Sequence, residues 1–114
     1  MHANRTDANQ AQVVKIFRKH GLKVQALNRE KNGIPDLLVS TSRGYTFLVE
    51  VKDGPKAALT EFQETWWADW VFDPPFVVRD DAQAVALADF AKVCGSTGEM
   101  RYRLDMAGFK SVIQ

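Results

Sequence analysis

A single cysteine, two histidines and no long apolar run mark this 114-residue chain. Cys94 has no second cysteine to pair with, which excludes an internal disulfide and fits a reducing cytosol. Its expected role is that of a small buried hydrophobe. His2 and His20 have no partner at metal-ligand spacing, so a zinc centre has nothing to build on. No segment approaches the roughly 18–20 apolar residues that a membrane span needs. Met1 to Asp7 lacks the apolar stretch of a secretory leader. A cytoplasmic location is therefore expected, and a membrane partner is not. Repeats and low-complexity tracts are absent as well.

A large charge of either sign is also missing, since the formal net charge is +1. The distribution is uneven, however. Residues 1–34 hold seven Lys/Arg against two acids, a net of +5, and the remainder carries −4. A basic first third could follow a phosphate backbone, and a solvated helix face would have the same composition. The length suits one domain, 1–114, with its core at about 5–91 and a C-terminal extension at about 95–114.

Periodicity divides the chain into elements. A first helix is predicted over Asp7 to His20, with Val13, Val14, Ile16 and Phe17 inside and Gly21 as its stop signal. Strands are predicted over Leu22 to Leu27, Asp36 to Thr41 and Tyr45 to Lys52, the last two joined by the short turn Ser42-Arg43-Gly44. Both of these are apolar on two faces and belong in the middle of a covered sheet. A second helix over Thr60 to Val71 carries Leu59, Phe62, Trp66 and Trp70 as its expected core stripe. Phe76-Val77-Val78 gives a fourth strand, and a third helix starts at Asp80 or Asp81, with Ala84, Val85, Leu87, Ala88 and Phe90 inside. After a flexible joint at Gly95-Ser96-Thr97-Gly98, the alternation of Met100, Tyr102, Leu104 and Met106 predicts a strand, and Phe109 to Ile113 another. The order is α-β-β-β-α-β-α, an α/β fold with a mixed sheet flanked by helices.

Against this apolar background two carboxylates and an ammonium stand out. Asp36 opens the second strand after Gly33-Ile34-Pro35, and Glu50-Val51-Lys52 closes the third. Side chains two apart share a strand face, so Glu50 and Lys52 point the same way. The tight hairpin brings Asp36 roughly opposite them. Two carboxylates at that separation repel unless a cation lies between them, and buried charges are costly without such compensation. Oxygen-only ligands with open positions suit Mg²⁺, or Mn²⁺ as its substitute. The Val51 carbonyl could add a third protein oxygen, with water and a substrate phosphate completing the shell. Lys52 would face the attacking water or the scissile phosphate.

Gly33-x-Pro35-Asp36, thirteen residues, Glu50-x-Lys52 and then Gln63 in the next helix resemble the PD-(D/E)XK nuclease superfamily. Within it the chain is similar to the VRR-NUC family and to Holliday junction resolvase-like proteins. The resemblance implies a restriction-endonuclease-like αβββαβ core, extended here by a C-terminal helix and short strands. It also implies Mg²⁺-dependent phosphodiester hydrolysis that leaves a 5′-phosphate. By position, Asp36 and Glu50 become metal ligands, Lys52 the catalytic lysine and Gln63 the helix residue that supports the site. Many relatives carry an acidic ligand on the first helix; here the matching positions offer Gln10 or Asp7. Asp7 equally suits a partner for the helix dipole, and Thr60-x-x-Gln63 equally reads as a capping box.

Further contacts to nucleic acid are expected from Lys56, Lys15 and Lys19. Trp67 is expected either to stack on an unpaired base or to fill a partly buried position. The leading expectation is a DNA endonuclease of bacterial or phage origin, selective for branched, flap or junction DNA and homodimeric if two strands are cut. The alternative is a non-catalytic nucleic-acid-binding or assembly module that keeps the fold.

Overall fold

The computed structural model describes residues 5–27, 33–70 and 73–113, with side chains from Ala8 onward. The chain runs α1 (Arg5–Lys19), β1 (Lys23–Ala26), β2 (Leu37–Ser40), β3 (Thr46–Val51), α2 (Glu61–Asp69), β4 (Phe76–Val78), α3 (Asp81–Val93) and α4 (Thr97–Met106), and closes with a 3-10 turn at Lys110–Val112. A polar loop is expected from the sequence over Asn28 to Gly33; its residues 28–32, like the expected end of the second helix at Val71, lie outside the described residues.

The four strands form one sheet in the order β1-β2-β3-β4. The first two pairings are antiparallel and the third is parallel, with α2 in the crossover. This is the mixed α/β sheet that the strand pattern predicts, and β2 and β3 are its central strands. Gly44 closes their hairpin at φ +93°, a left-handed conformation that glycine adopts without strain.

Alternation then separates two faces. Leu37, Val39, Phe47, Val49, Val51, Phe76 and Val78 turn to one side and form a single core with Val13 and Phe17 of α1 and Leu87 and Ala88 of α3. On the reverse side, Leu38, Leu48 and Val77 share a surface with Asp36, Glu50 and Lys52. The crossover helix α2 brings Gln63 to that side, where Leu38 remains 37% exposed. The site is therefore built on the less covered face.

Three sequence expectations change. The second-helix stripe is not core: no residue of α2 is buried among the described residues, and Phe62 and Trp70 are 68% and 45% exposed. Periodicity marks a helix face as apolar without saying what covers it, and here Trp66 and Trp70 stack on each other, with ring centroids 4.8 Å apart. In α3, Val85 points outward and Ala91 takes the buried place.

The tail is helical rather than extended. Ser96 caps α4, its hydroxyl accepting from the Glu99 amide while Glu99 accepts from the Gly95 amide. Met100 and Leu104, four apart, are buried, whereas Tyr102 and Met106 face solvent. Phe109 to Ile113 contains the 3-10 turn instead of a strand.

This extension is tied to the site through Arg79, just after β4. The Arg79 guanidinium donates to the Ser111 carbonyl at 3.2 Å and to the Ala57 carbonyl at 3.1 Å. Gln83 accepts from the Arg79 amide and donates to the Ser111 hydroxyl. Arg79→Ala is expected to lower stability by about 2–3 kcal/mol, because it strands two half-buried carbonyls that accept from a charged donor. A urea midpoint shift at unchanged slope measures this.

Candidate active site

The local chain directions that place the charged groups follow from the sheet register. Leu37 pairs with Val49, so Asp36 stands one step further, across from Glu50. The Asp36 carboxylate is fixed by the Val51 amide, which donates to it at 2.8 Å. The Asp36 carbonyl accepts from the Leu27 amide at 2.7 Å, so the residue is bound to the strands on both sides. Glu50 is 3% exposed. Lys52 follows just beyond β3, its side chain 12% exposed, with Nζ 3.5 Å from Glu50 Oε2.

Gln63 joins the other members. Its Nε2 donates to Glu50 Oε2 at 2.5 Å, and its Oε1 accepts from Lys52 Nζ at 2.6 Å. The same Oε1 accepts from the Thr60 amide at 2.9 Å, while the Thr60 hydroxyl accepts from the Gln63 amide. The capping box is therefore present, and the same side chain contacts Glu50 and Lys52. The capping box fixes the Gln63 rotamer, and the fixed amide spans Glu50 and Lys52.

Asp36, Glu50, Val51, Lys52, Asp53 and Gln63, with Ala57 and Ala58, line one open cleft of about 420 Å³. Burial, and then the Asp36 carboxylate, push the Glu50 carboxyl up from 4.5 to about 7, against the opposing pull of Lys52 and Gln63. Glu50 Oε1 is buried and has no hydrogen-bond partner among the described residues. A buried carboxylate oxygen left in this state calls for a cation or a proton. Mg²⁺ is commonly held by one or two carboxylates with water and phosphate oxygens, so this donor set fits it. Among the described residues no group of three or more His, Cys, Asp and Glu could hold a metal ion, so within that set a further protein donor would be a carbonyl or an amide.

The other expected residues are not among the described residues that line the cleft. Gln10 is half-buried on α1, and the Asp7 side chain lies outside the described residues. Lys15, Lys19 and Lys56 are exposed and do not line the cleft. Trp67 is half-buried, and its indole N–H is buried with no partner among the described residues.

Two contacts at the site have no local sequence signal. Asn9, on α1, donates to the Lys52 carbonyl at 2.8 Å and anchors the end of β3. An asparagine near the start of a helix ordinarily suggests only local capping, so its spacing carries no signal for this long-range contact. The second is the close approach of Gly33 to α2.

No protein-family model matches the chain, and no curated protein does. A solved structure described as a VRR_NUC domain matches it with a TM-score of 0.61 and 26% sequence identity, over 76% of this chain and 97% of that one. The helix-flanked mixed sheet, with the site at the paired ends of β2 and β3, is a PD-(D/E)XK-type nuclease fold. Within that superfamily, motif and fold together support the VRR-NUC family. No helix among the described residues is long and apolar enough to cross a membrane.

Proposed function

We propose that this chain is a metal-dependent endonuclease that hydrolyses DNA phosphodiester bonds. One observation carries the reading: Asp36, Glu50, Lys52 and Gln63 converge on a single cleft in which a buried Glu50 oxygen has no partner among the described residues. The likeness to a structure described as a VRR_NUC domain supports the same reading. Asp36 and Glu50, with the Val51 carbonyl, would hold Mg²⁺ or Mn²⁺. When bound, the ion supplies Lewis acidity toward the scissile phosphate and its attacking water.

The chain's own groups do the remainder. Lys52 presents a positive charge where negative charge gathers on the phosphoryl oxygens, and it orients the water for in-line attack. Gln63 holds the Lys52 ammonium and the Glu50 carboxylate in one geometry. Asp36, fixed by the Val51 amide, holds its carboxylate without rotamer freedom. Attack by water breaks one P–O bond, leaving a 5′-phosphate and a free 3′-hydroxyl. The exposed lysines of α1 and Lys56 give the backbone further positive contacts. The substrates favoured are branched, flap or junction DNA, recognised by shape. The exposed aromatic face of α2 is compatible with a homodimer that cuts both strands.

The test uses labelled linear, flap and four-way-junction DNA with Mg²⁺, Mn²⁺ or EDTA. Cleavage that requires the ion and is lost in Asp36→Ala is the expected result. DNA binding without cleavage of any substrate would instead establish the non-catalytic module.

A further inference from the structure

The Gly33-Ile34-Pro35-Asp36 segment touches the site at both of its ends. At Asp36 it is bound into the sheet, through the Val51 amide and the Leu27 amide. At Gly33 it meets the first turn of α2 backbone to backbone. A Cβ placed on Gly33 would collide with the Phe62 carbonyl oxygen and stand 2.8 Å from the Gln63 amide nitrogen. Real Cβ atoms essentially never come under 3.0 Å of such atoms. Backbone atoms cannot rotate away, so a side chain at position 33 must move α2 or the loop.

Among the described residues α2 has little else to hold it at this height. None of its residues is buried among the described residues, and Phe62, the residue over Gly33, is 68% exposed. The helix nevertheless carries Gln63, whose amide must meet Glu50 at 2.5 Å and Lys52 at 2.6 Å simultaneously. Hydrogen bonds weaken steeply with misalignment, so a shift of one ångström breaks the bridge.

We propose that Gly33 is a positioning residue. Its missing side chain lets α2 sit directly on the loop that carries Asp36, and this contact sets the height of Gln63 over Glu50 and Lys52. The inference rests on the nuclease reading only for its effect on rate; the geometric part stands independently. Gly33 also has φ +91°, as do other glycines of the chain within a few degrees. Gly44 provides the control: it shares the left-handed backbone at φ +93°, but a Cβ there meets nothing within 4 Å among the described residues. It also lies in the β2–β3 hairpin, at the far end of both strands from the site.

The experiment compares Gly33→Ala with Gly44→Ala. In metal-free protein, the Gln63 side-chain amide resonances should be shifted and protected from solvent exchange in the wild type and in Gly44→Ala. In Gly33→Ala they should move to the positions of a free glutamine amide. The single-turnover cleavage rate of Gly33→Ala should fall on the order of 100-fold, the size of effect a misplaced catalytic group gives. In a Gln63→Ala background, adding Gly33→Ala should cost less than about twofold more, because both changes remove one device.

Unchanged Gln63 resonances in Gly33→Ala, equal changes in Gly44→Ala, or multiplying rate losses would each overturn the proposal. If Gly33→Ala does not fold, the wild type decides. Cross-relaxation between the Gly33 Hα protons and the Gln63 backbone amide is then required, and its absence refutes the contact. A wild type that cleaves no DNA refutes the nuclease reading, while the resonance comparison still decides the role of Gly33.

Discussion

Lys52→Ala is expected to reduce the single-turnover rate of DNA cleavage by about 10²–10⁴-fold, the span associated with loss of a positioned acid–base or charge-stabilising group. The protein should remain folded, because the Lys52 stem is not part of the buried core cluster. Two things are lost together. The phosphoryl oxygens lose a fixed positive charge, and Glu50 loses the charge that opposes its protonation. Raising Mg²⁺ should therefore recover only part of the rate.

Lys52→Arg is expected to remain poor despite its retained charge. The planar guanidinium is broader than an ammonium and would have to fit where Nζ now lies 2.6 Å from Gln63 Oε1. A rate for Lys52→Ala within threefold of the wild type would refute the assignment of Lys52. So would a loss fully rescued by arginine, since any nearby charge would then suffice.

The sheet was legible because its strands are written twice, in composition and in alternation. Val, Leu and Phe fill β2 and β3, and the short Ser42-Arg43-Gly44 connection leaves little choice of register. From that register alone Asp36, Glu50 and Lys52 meet at one end of the sheet. The tail was not legible for the opposite reason. Met100, Tyr102, Leu104 and Met106 fit a strand's period of two, while Met100 and Leu104 also fit one helix face. The deciding signal was Ser96-x-x-Glu99, a capping signature inside what looked like a joint.

α2 shows a different limit. Aromatic spacing marks the helix, yet Phe62 and Trp70 of its stripe face solvent while polar Gln63 faces the sheet. Hydrophobic periodicity ranks helix faces by polarity, and a functional site inverts that ranking where a buried carboxylate and ammonium need a polar partner. Asn9 and Gly33 lay further out of reach. Each acts through a backbone contact distant in sequence, the Lys52 carbonyl for one and the Phe62–Gln63 peptide for the other. Such contacts have no local pattern.

Glu50→Gln is expected to abolish cleavage and, above pH 7, to make the metal-free protein more stable than the wild type. The Glu50 carboxyl titrates near 7 in the folded chain against 4.5 as its ordinary value, raised first by burial and then by Asp36. Between those two values the folded protein holds a proton that the unfolded chain has released. Folding stability in EDTA therefore falls as pH rises from about 4.5 to about 7, and it is level beyond. The full loss is on the order of 3 kcal/mol. Glutamine has no proton to lose, and its amide oxygen can still accept from Gln63 Nε2. The two proteins should thus differ little at pH 4.5, and the variant should lead by that amount at pH 8. Mg²⁺ should raise the urea midpoint of the wild type at pH 8 more than at pH 5, and leave Glu50→Gln nearly unchanged, because metal binding requires the ionised carboxylate. A wild type whose stability is flat from pH 5 to 8, or a variant weaker than it at pH 8 in EDTA, would contradict this account. Catalysis and stability would then pull on one carboxylate in opposite directions: the charge that would hold the ion is the charge that the apolar sheet resists.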